Sequence, residues 1–407
     1  MNKLKTVTYV VCGVYAIVCI VTYFVLDYEP ISDCANYCNY AYDCFRHGEY
    51  YPMRKHLYSD YLFAPGFVNF LILQLKFFGT LKYNSIFNIL MNLGIMAELF
   101  YIGKNLFSER TAYLSVIFYC LMYSTWISII PELTEVPFLF VSLTAICLCL
   151  SSRLLLLAVA GICLALGNWI RPLSVIFVPA ILLLMYRNKC QRKHYTTFFA
   201  IMITCVLVIG SLTYHKIGHF SFQSSTSGYN LLPVANDKAA LNYRNDKLGG
   251  FSKEVLHLNN MDTIPFFDRD SIWRAQAIDW IKENPTQYFR MYLHRIIALY
   301  YNDTGMKYFI IKRGNSSQSF SMRILRNISY WIIITLFLVT VAKKRKEICS
   351  AKGILLTVLL LGTCVTCLFH TTSRYHHPFL FVVILWAAYG VDSFLESKNK
   401  KQIFMKR

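Results

Sequence analysis

With 407 residues, 56% hydrophobic content, only 15% charged side chains and a mean hydropathy of +0.41, the chain does not read as a soluble globule; soluble domains carry about 25% charged residues. Its net charge of +19 does not point to nucleic acid, because no basic surface domain with interleaved aromatics is visible. Lys and Arg collect in the short cytosolic loops of membrane proteins, and an integral multi-pass membrane protein is the reading that remains.

Lys3 and Lys5 precede a first apolar run, 6–26, which has no small-residue cleavage site and reads as a retained span. Further runs at 84–102, 111–130, 154–167, 196–213, 327–342, 353–369 and 379–395 approach the length that crosses a hydrocarbon core, and about 10–11 transmembrane helices are expected. The run 66–79 (GFVNFLILQLKFFG) is only about two-thirds of a span, and it decides the parity of everything downstream. If it crosses, KKRKE (343–347), RNKCQRK (187–193) and Lys104/Arg110 all lie outside, against the charge rule. If it stays on one side, those clusters and the tail KNKKQIFMKR are cytosolic. The second arrangement is the better one.

The expected organisation is therefore an N-terminal transmembrane module over 1–213 with its first external loop at 27–65, an external segment over 214–324, and C-terminal spans with a basic cytosolic tail over 325–407. Within the external segment, RAQAIDWIKENP (274–285) has helical periodicity stopped by Asn284-Pro285. The following stretch, 286–301, is amphipathic and aromatic-rich like an interfacial helix. Most of the 14 cysteines sit in apolar runs as small hydrophobes. Cys34, Cys38 and Cys44 fall in the first external loop and are candidates for a disulfide, with no C-x-x-C metal or redox spacing.

On this topology the polar groups that hydropathy does not explain share one face of the membrane. In the first loop Asp33, Tyr37 and Ala41 recur every four residues, one helix face, with Asp43 a quarter-turn away and Gly48 closing the segment. A carboxylate there suits proton transfer or a divalent cation; a solvated acidic face has the same pattern. Glu132 and Glu135 of PELTE stand between two spans, where a helix-end dipole partner is the plain alternative, but Glu135 falls on Asp33's side, and two acids from separate elements can hold a metal. Arg171-Pro172 opens a span, and an arginine there also snorkels to the interface. Ser373-Arg374-Tyr375-His376-His377-Pro378 packs a guanidinium, a phenol and two imidazoles before the last span; arginine suits the two-pronged grip of phosphate.

These residues, in this order, resemble the polytopic GT-C glycosyltransferases, in particular the protein O-mannosyltransferase and aminoarabinose-transferase-like group (glycosyltransferase family 39-type). The match runs through Ser32-Asp33, Tyr37, Ala41 and Gly48, then Ala64-Pro65-Gly66. It continues through Gly103, Leu106-Phe107 and Arg110; Leu133-Thr134-Glu135 with Pro137-Phe138; Gly161, Gly167 and Arg171-Pro172; and Ser373-Arg374-Tyr375 with Pro378. The resemblance implies an all-α polytopic bundle with juxtamembrane helices in its external loops. It implies a transferase using a polyprenyl-phosphate-linked sugar, acting at the extracytoplasmic boundary of a bacterial cytoplasmic membrane. It makes Asp33 the acid-base or metal-associated residue, Asp43 a second acid and Glu135 the acid of the second external turn. Arg374 and Tyr375, with Arg171 and His376, fall to the donor phosphate. A divalent ion is expected between Asp33 and Glu135 where one is used. The relatives' lysine before the first-loop proline is replaced here by Phe63-Ala64-Pro65, with Arg54 or Lys55 as substitutes. The sugar and the acceptor (protein, lipid or glycan) are open. A lipid-linked sugar transporter and a polysaccharide polymerase or ligase are the rival readings; the first calls for internal repeats and midplane ionisable groups that are not evident here.

Overall fold

The computed structural model describes residues 2–26, 28–59, 62–245, 250–257, 263–303 and 320–405, with side chains for all of these except 320–323 and 399–405. The described residues are helical and contain no strand; their one β contact is an isolated antiparallel bridge between Leu62 and Ser225. In chain order the helices are α1 (Asn2–Val25), α2 (Asp33–Arg46), α3 (Pro65–Phe78), α4 (Asn84–Leu106), α5 (Glu109–Leu121) and the short α6 (Tyr123–Ile127). Then come α7 (Glu135–Cys149), α8 (Leu154–Ile170), α9 (Val178–Arg187) and α10 (Arg192–Ile217). The long segment folds as α11 (Ser227–Leu231), α12 (Asp237–Arg244), α13 (Phe266–Glu283) and α14 (Pro285–Tyr300), and α15 (Phe320–Lys343), α16 (Leu356–Leu368) and α17 (Leu380–Met405) complete the bundle.

Among the described residues six helices are long and apolar enough to cross a membrane: Asn2–Val25, Asn84–Leu106, Arg192–Ile217, Ile324–Lys343, Ala351–Leu368 and Ser373–Lys398. Four more are apolar but shorter, among them Glu135–Cys149 and Ser174–Arg187, which lay outside the eight stretches named above. The expected run 111–130 breaks in two, because Met122 adopts an extended ψ of 133° and its amide is the last of the α5 turn. Outward-facing Ile17, Leu212 and Ile332 are more than half exposed, an apolar surface that lipid, and not water, would cover. The protein is an integral membrane protein.

Packing follows the hairpins: α4 on α5, α7 on α8, with α4 also against α7, α8 against α10, and α17 lodged between α5 and α15. The fold settles what the short run 65–78 does. Pro65 occupies the first helical position, where its missing N–H costs nothing, and Gly79 ends the helix at φ +69°. Fourteen residues reach only about 21 Å. At its start, Gly66 packs on the end of α8 so closely that a Cβ would stand 2.7 Å from the Trp169 carbonyl carbon. Toward its finish, Gln74 Nε2 donates to Asn84 Oδ1 at 3.1 Å at the start of α4, and Lys76 Nζ lies 3.7 Å above the Tyr50 ring of the first loop. Both ends of α3 thus touch one end of the bundle, and the helix does not traverse it.

That end also receives the turn before α7, where Asn88 Nδ2 donates to Ile129 O at 3.1 Å, and the end of α10, where Lys216 Nζ donates to Tyr50 O at 2.6 Å. The long segment closes over it. Arg269 of α13 is buried and donates to the Ser59 carbonyl, and the His370 amide donates to Asn230 O at 3.1 Å. Helix α14 leans on α16 through Arg295 Nε to Cys367 O (2.7 Å) and Tyr300 with Thr363 (2.7 Å), while Phe289, Leu293 and Ile297 face outward. The basic clusters at 104–110, 187–193 and 343–346 fall at the opposite end by the same connectivity. Cys34, Cys38 and Cys44 do not pair: they are unoxidised thiols on the buried face of α2.

Candidate functional site

Four charged side chains from four elements meet at the end opposite the basic clusters. Asp33 opens α2, behind Ser32, whose φ of +53° is a costly conformation outside glycine. Glu135 opens α7, Arg171 ends α8, and Arg374 comes from the short 3₁₀ turn Ser373–Phe379 before α17. Arg374 bridges the two acids: its Nη2 donates to Asp33 Oδ2 at 2.9 Å and its Nε lies 3.2 Å from Glu135 Oε1. Arg171 Nη1 stands 2.8 Å from the same Glu135 oxygen and also donates to Thr134 Oγ1 at 3.3 Å. Tyr375 lies between the arginines, with the Arg171 and Arg374 guanidinium carbons 5.1 and 5.0 Å from its ring centre, the range of cation–π attraction.

Burial divides this quartet. The side chains of Glu135, Arg374 and Arg171 are 2%, 8% and 15% exposed, whereas Asp33 is 32% exposed. Glu135 is the buried anchor that orients both arginines, and Asp33 is the acid that a substrate from the aqueous side can reach. Buried charges of this kind persist only when paired.

The neighbouring acid behaves differently. Glu132, buried in the same turn, accepts from Tyr28 OH at 2.9 Å. Burial pushes its carboxyl up to about 7. His370 meets the Phe251 ring at 4.0 Å between centroids, tilted by 32°, and burial pushes its imidazole down to about 4. Phe251 and Lys253 of the long segment therefore lie beside His370, which is itself within electrostatic range of Arg374 and Asp33.

Two expected participants stand elsewhere. Asp43 lies ten residues along α2 from Asp33, about 15 Å up the axis. It pairs with Lys55 Nζ at 2.6 Å and His56 Nε2 at 3.0 Å. Burial raises its carboxyl, but the hydrogen bonds with Lys55 and His56 outweigh it and leave it below the usual value. Lys55 is thereby engaged away from the quartet, and Arg54 is exposed to solvent. His376 is turned into the packing: Nδ1 meets Leu299 O at 2.6 Å, Nε2 meets Asp303 Oδ1 at 3.2 Å, and the ring stacks on Tyr300 and Tyr330. Its neighbour His377 is the imidazole nearer the site, buried within electrostatic range of Glu135 and Arg171 and with no hydrogen-bond partner on either ring nitrogen among the described residues. Consecutive residues of a 3₁₀ turn point about 120° apart, so the backbone sends only one of the two inward. Nor do Asp33 and Glu135 form a cation cage. The Arg374 guanidinium lies between them, and no group of three or more His, Cys, Asp or Glu suited to a metal occurs among the described residues.

No protein-family model and no curated protein sequence matches the chain. Solved structures do. The oligosaccharyltransferase AglB from Archaeoglobus fulgidus, in complex with an inhibitory peptide and a dolichol-phosphate, superposes with a TM-score of 0.54 at 11% identity over 99% of this chain. The same enzyme in complex with Zn and sulfate gives 0.51 at 12% identity over 97%. The chain spans about half the length of that protein, 52% and 50% in the two comparisons. ArnT from Cupriavidus metallidurans bound to undecaprenyl phosphate is also similar, at a TM-score of 0.40 and 11% identity, over 93% of this chain and 77% of that one. The likeness to AglB is one of fold, an all-α polytopic bundle.

Proposed function

We propose that this protein is a membrane glycosyltransferase that moves a sugar from a polyprenyl-phosphate donor to an acceptor hydroxyl on the non-cytosolic face, in a bacterial cytoplasmic membrane. The observation that carries the reading is the Asp33–Arg374–Glu135–Arg171 quartet, assembled from four elements at the end of a GT-C-like bundle remote from its basic loops. The positive-inside rule orients the basic end to the cytosol, which leaves the quartet outside. The donor's phosphate would be gripped by Arg374 and Arg171 beside Tyr375, with its apolar tail among the lipid-facing helices. The module 1–213 supplies base and anchor, 214–324 the neighbours of His370, and 325–407 the bridging arginine.

In this mechanism Asp33 takes the proton from the acceptor hydroxyl as its oxygen attacks the anomeric carbon. The bond from that carbon to the phosphate oxygen breaks, the electron pair stays on phosphate, and the anomeric centre inverts. The arginines stabilise the charge growing on the leaving group, a preorganised electrostatic effect worth about 10²–10³ in rate for one donor. Glu135 acts by positioning both arginines. The test is donor cleavage in detergent against a panel of polyprenyl-phosphate sugars. Asp33→Asn and Arg374→Ala should each slow it at least 100-fold while the protein accumulates normally. Turnover within a few fold of wild type in either variant overturns the assignment, and activity that requires a sealed compartment favours a transporter.

A further inference from the structure

Two acids at a transferase site invite a divalent ion, yet here the space they define is filled by a side chain. Arg374 reaches Asp33 with Nη2 at 2.9 Å and Glu135 with Nε at 3.2 Å, and Glu135 Oε1 is shared with Arg171 at 2.8 Å. From this geometry we infer that Arg374 is a built-in replacement for a metal ion, and that transfer by this protein is metal-independent. The inference rests on the transferase reading for its chemistry but on the quartet alone for its geometry.

Charge balance supports it. Two carboxylates face two guanidinium groups, so the quartet is neutral before a donor arrives. A divalent ion added to it would leave two positive charges in excess beside Arg374 and Arg171, whose side chains are 8% and 15% exposed. Like charges that close repel strongly where little water screens them. The guanidinium meanwhile supplies what an ion would supply to a leaving phosphate: positive charge and planar paired donors.

Binding of Mn²⁺ to the purified full chain, followed by electron paramagnetic resonance, separates the alternatives. Wild type should bind no Mn²⁺ that depends on Asp33 or Glu135, and its transfer rate in EDTA should stay within twofold of the untreated rate. Arg374→Ala should uncover the acid pair and gain one bound Mn²⁺ that Asp33→Asn in the same background abolishes. Arg374→Lys, which keeps the charge, should gain none. A wild-type Mn²⁺ signal lost in Asp33→Asn overturns the inference, as does transfer that EDTA stops and Mn²⁺ restores. A folded Arg374→Ala protein with no gain of Mn²⁺ overturns it too. If Arg374→Ala does not accumulate, the wild-type and EDTA measurements still decide. Absence of transfer with every donor would count against the proposed function and leave the Mn²⁺ result standing.

Discussion

The two ends of the bundle both bury an acid, and they do so in opposite ways. At the basic end Asp392 of α17 accepts from Thr111 Oγ1 at 3.0 Å and from Ser108 Oγ, with Arg110 Nη1 3.2 Å away. All three donors belong to the turn that starts α5, where Ser108 also caps the helix by accepting from the Thr111 amide at 3.0 Å. Asp392 is therefore a clasp between two helices, with hydroxyls sharing the work and nothing left for a ligand. At the other end Glu135 meets charge with charge, and the ion pairs run outward to an acid that water reaches. Two hydroxyls and one arginine from a single local turn fasten helices; guanidinium groups from separate elements hold a charge pattern ready for a partner.

Substitutions at the two ends should separate accordingly. The largest effect is expected for Glu135→Gln, which leaves two buried arginines short of a counter-charge. Stability should fall by about 3–5 kcal/mol and the folded remainder should transfer sugar at least 100-fold more slowly, read by thermal unfolding in detergent and by donor cleavage. Asp392→Ala should cost about 3 kcal/mol of stability, since the Ser108 and Thr111 hydroxyls are left without their acceptor, yet leave turnover per folded molecule unchanged. A slower reaction there would erase the contrast between clasp and site.

Glu132 sharpens the comparison within the site end. Its folded value of about 7 lies above the ordinary carboxyl value of 4.5, so folding favours the protonated form. That stabilisation is complete below about pH 4.5 and is lost as pH rises through about 7. Relative to wild type, Glu132→Gln should gain about 2–3 kcal/mol at pH 8 and nothing at pH 4, measured as the difference in unfolding midpoint across that range. The smallest effect belongs to Asp43→Asn: its partner Lys55 is half exposed, and surface pairs contribute about 0–1 kcal/mol. Transfer should stay within threefold of wild type, and a 100-fold loss would return Asp43 to the chemistry.

Much of this was legible in the sequence because charge and length obey simple rules. The parity argument placed Asp33, Glu135, Arg171 and Arg374 on one face, and the structure brings those four into contact. Helix α14 and the stop at Asn284-Pro285 were equally readable from periodicity. Rotation and distance were not. Asp33 and Asp43 look equivalent in a loop of that composition until 15 Å of helix rise is counted between them. His376 and His377 are adjacent, and only the twist of a 3₁₀ turn decides which faces Glu135. The bridging geometry of Arg374 depends on residues 341 positions apart, beyond the reach of local pattern.

The partial exposure of Asp33 has an energetic corollary for a cell that runs this reaction. With Asp33 as the base on the outer face, as proposed, a captured proton would return directly to the outer solvent, without a relay through the bilayer or past the arginines. On the proposed reading, turnover is then indifferent to the transmembrane proton gradient and is driven by cleavage of the activated sugar bond alone.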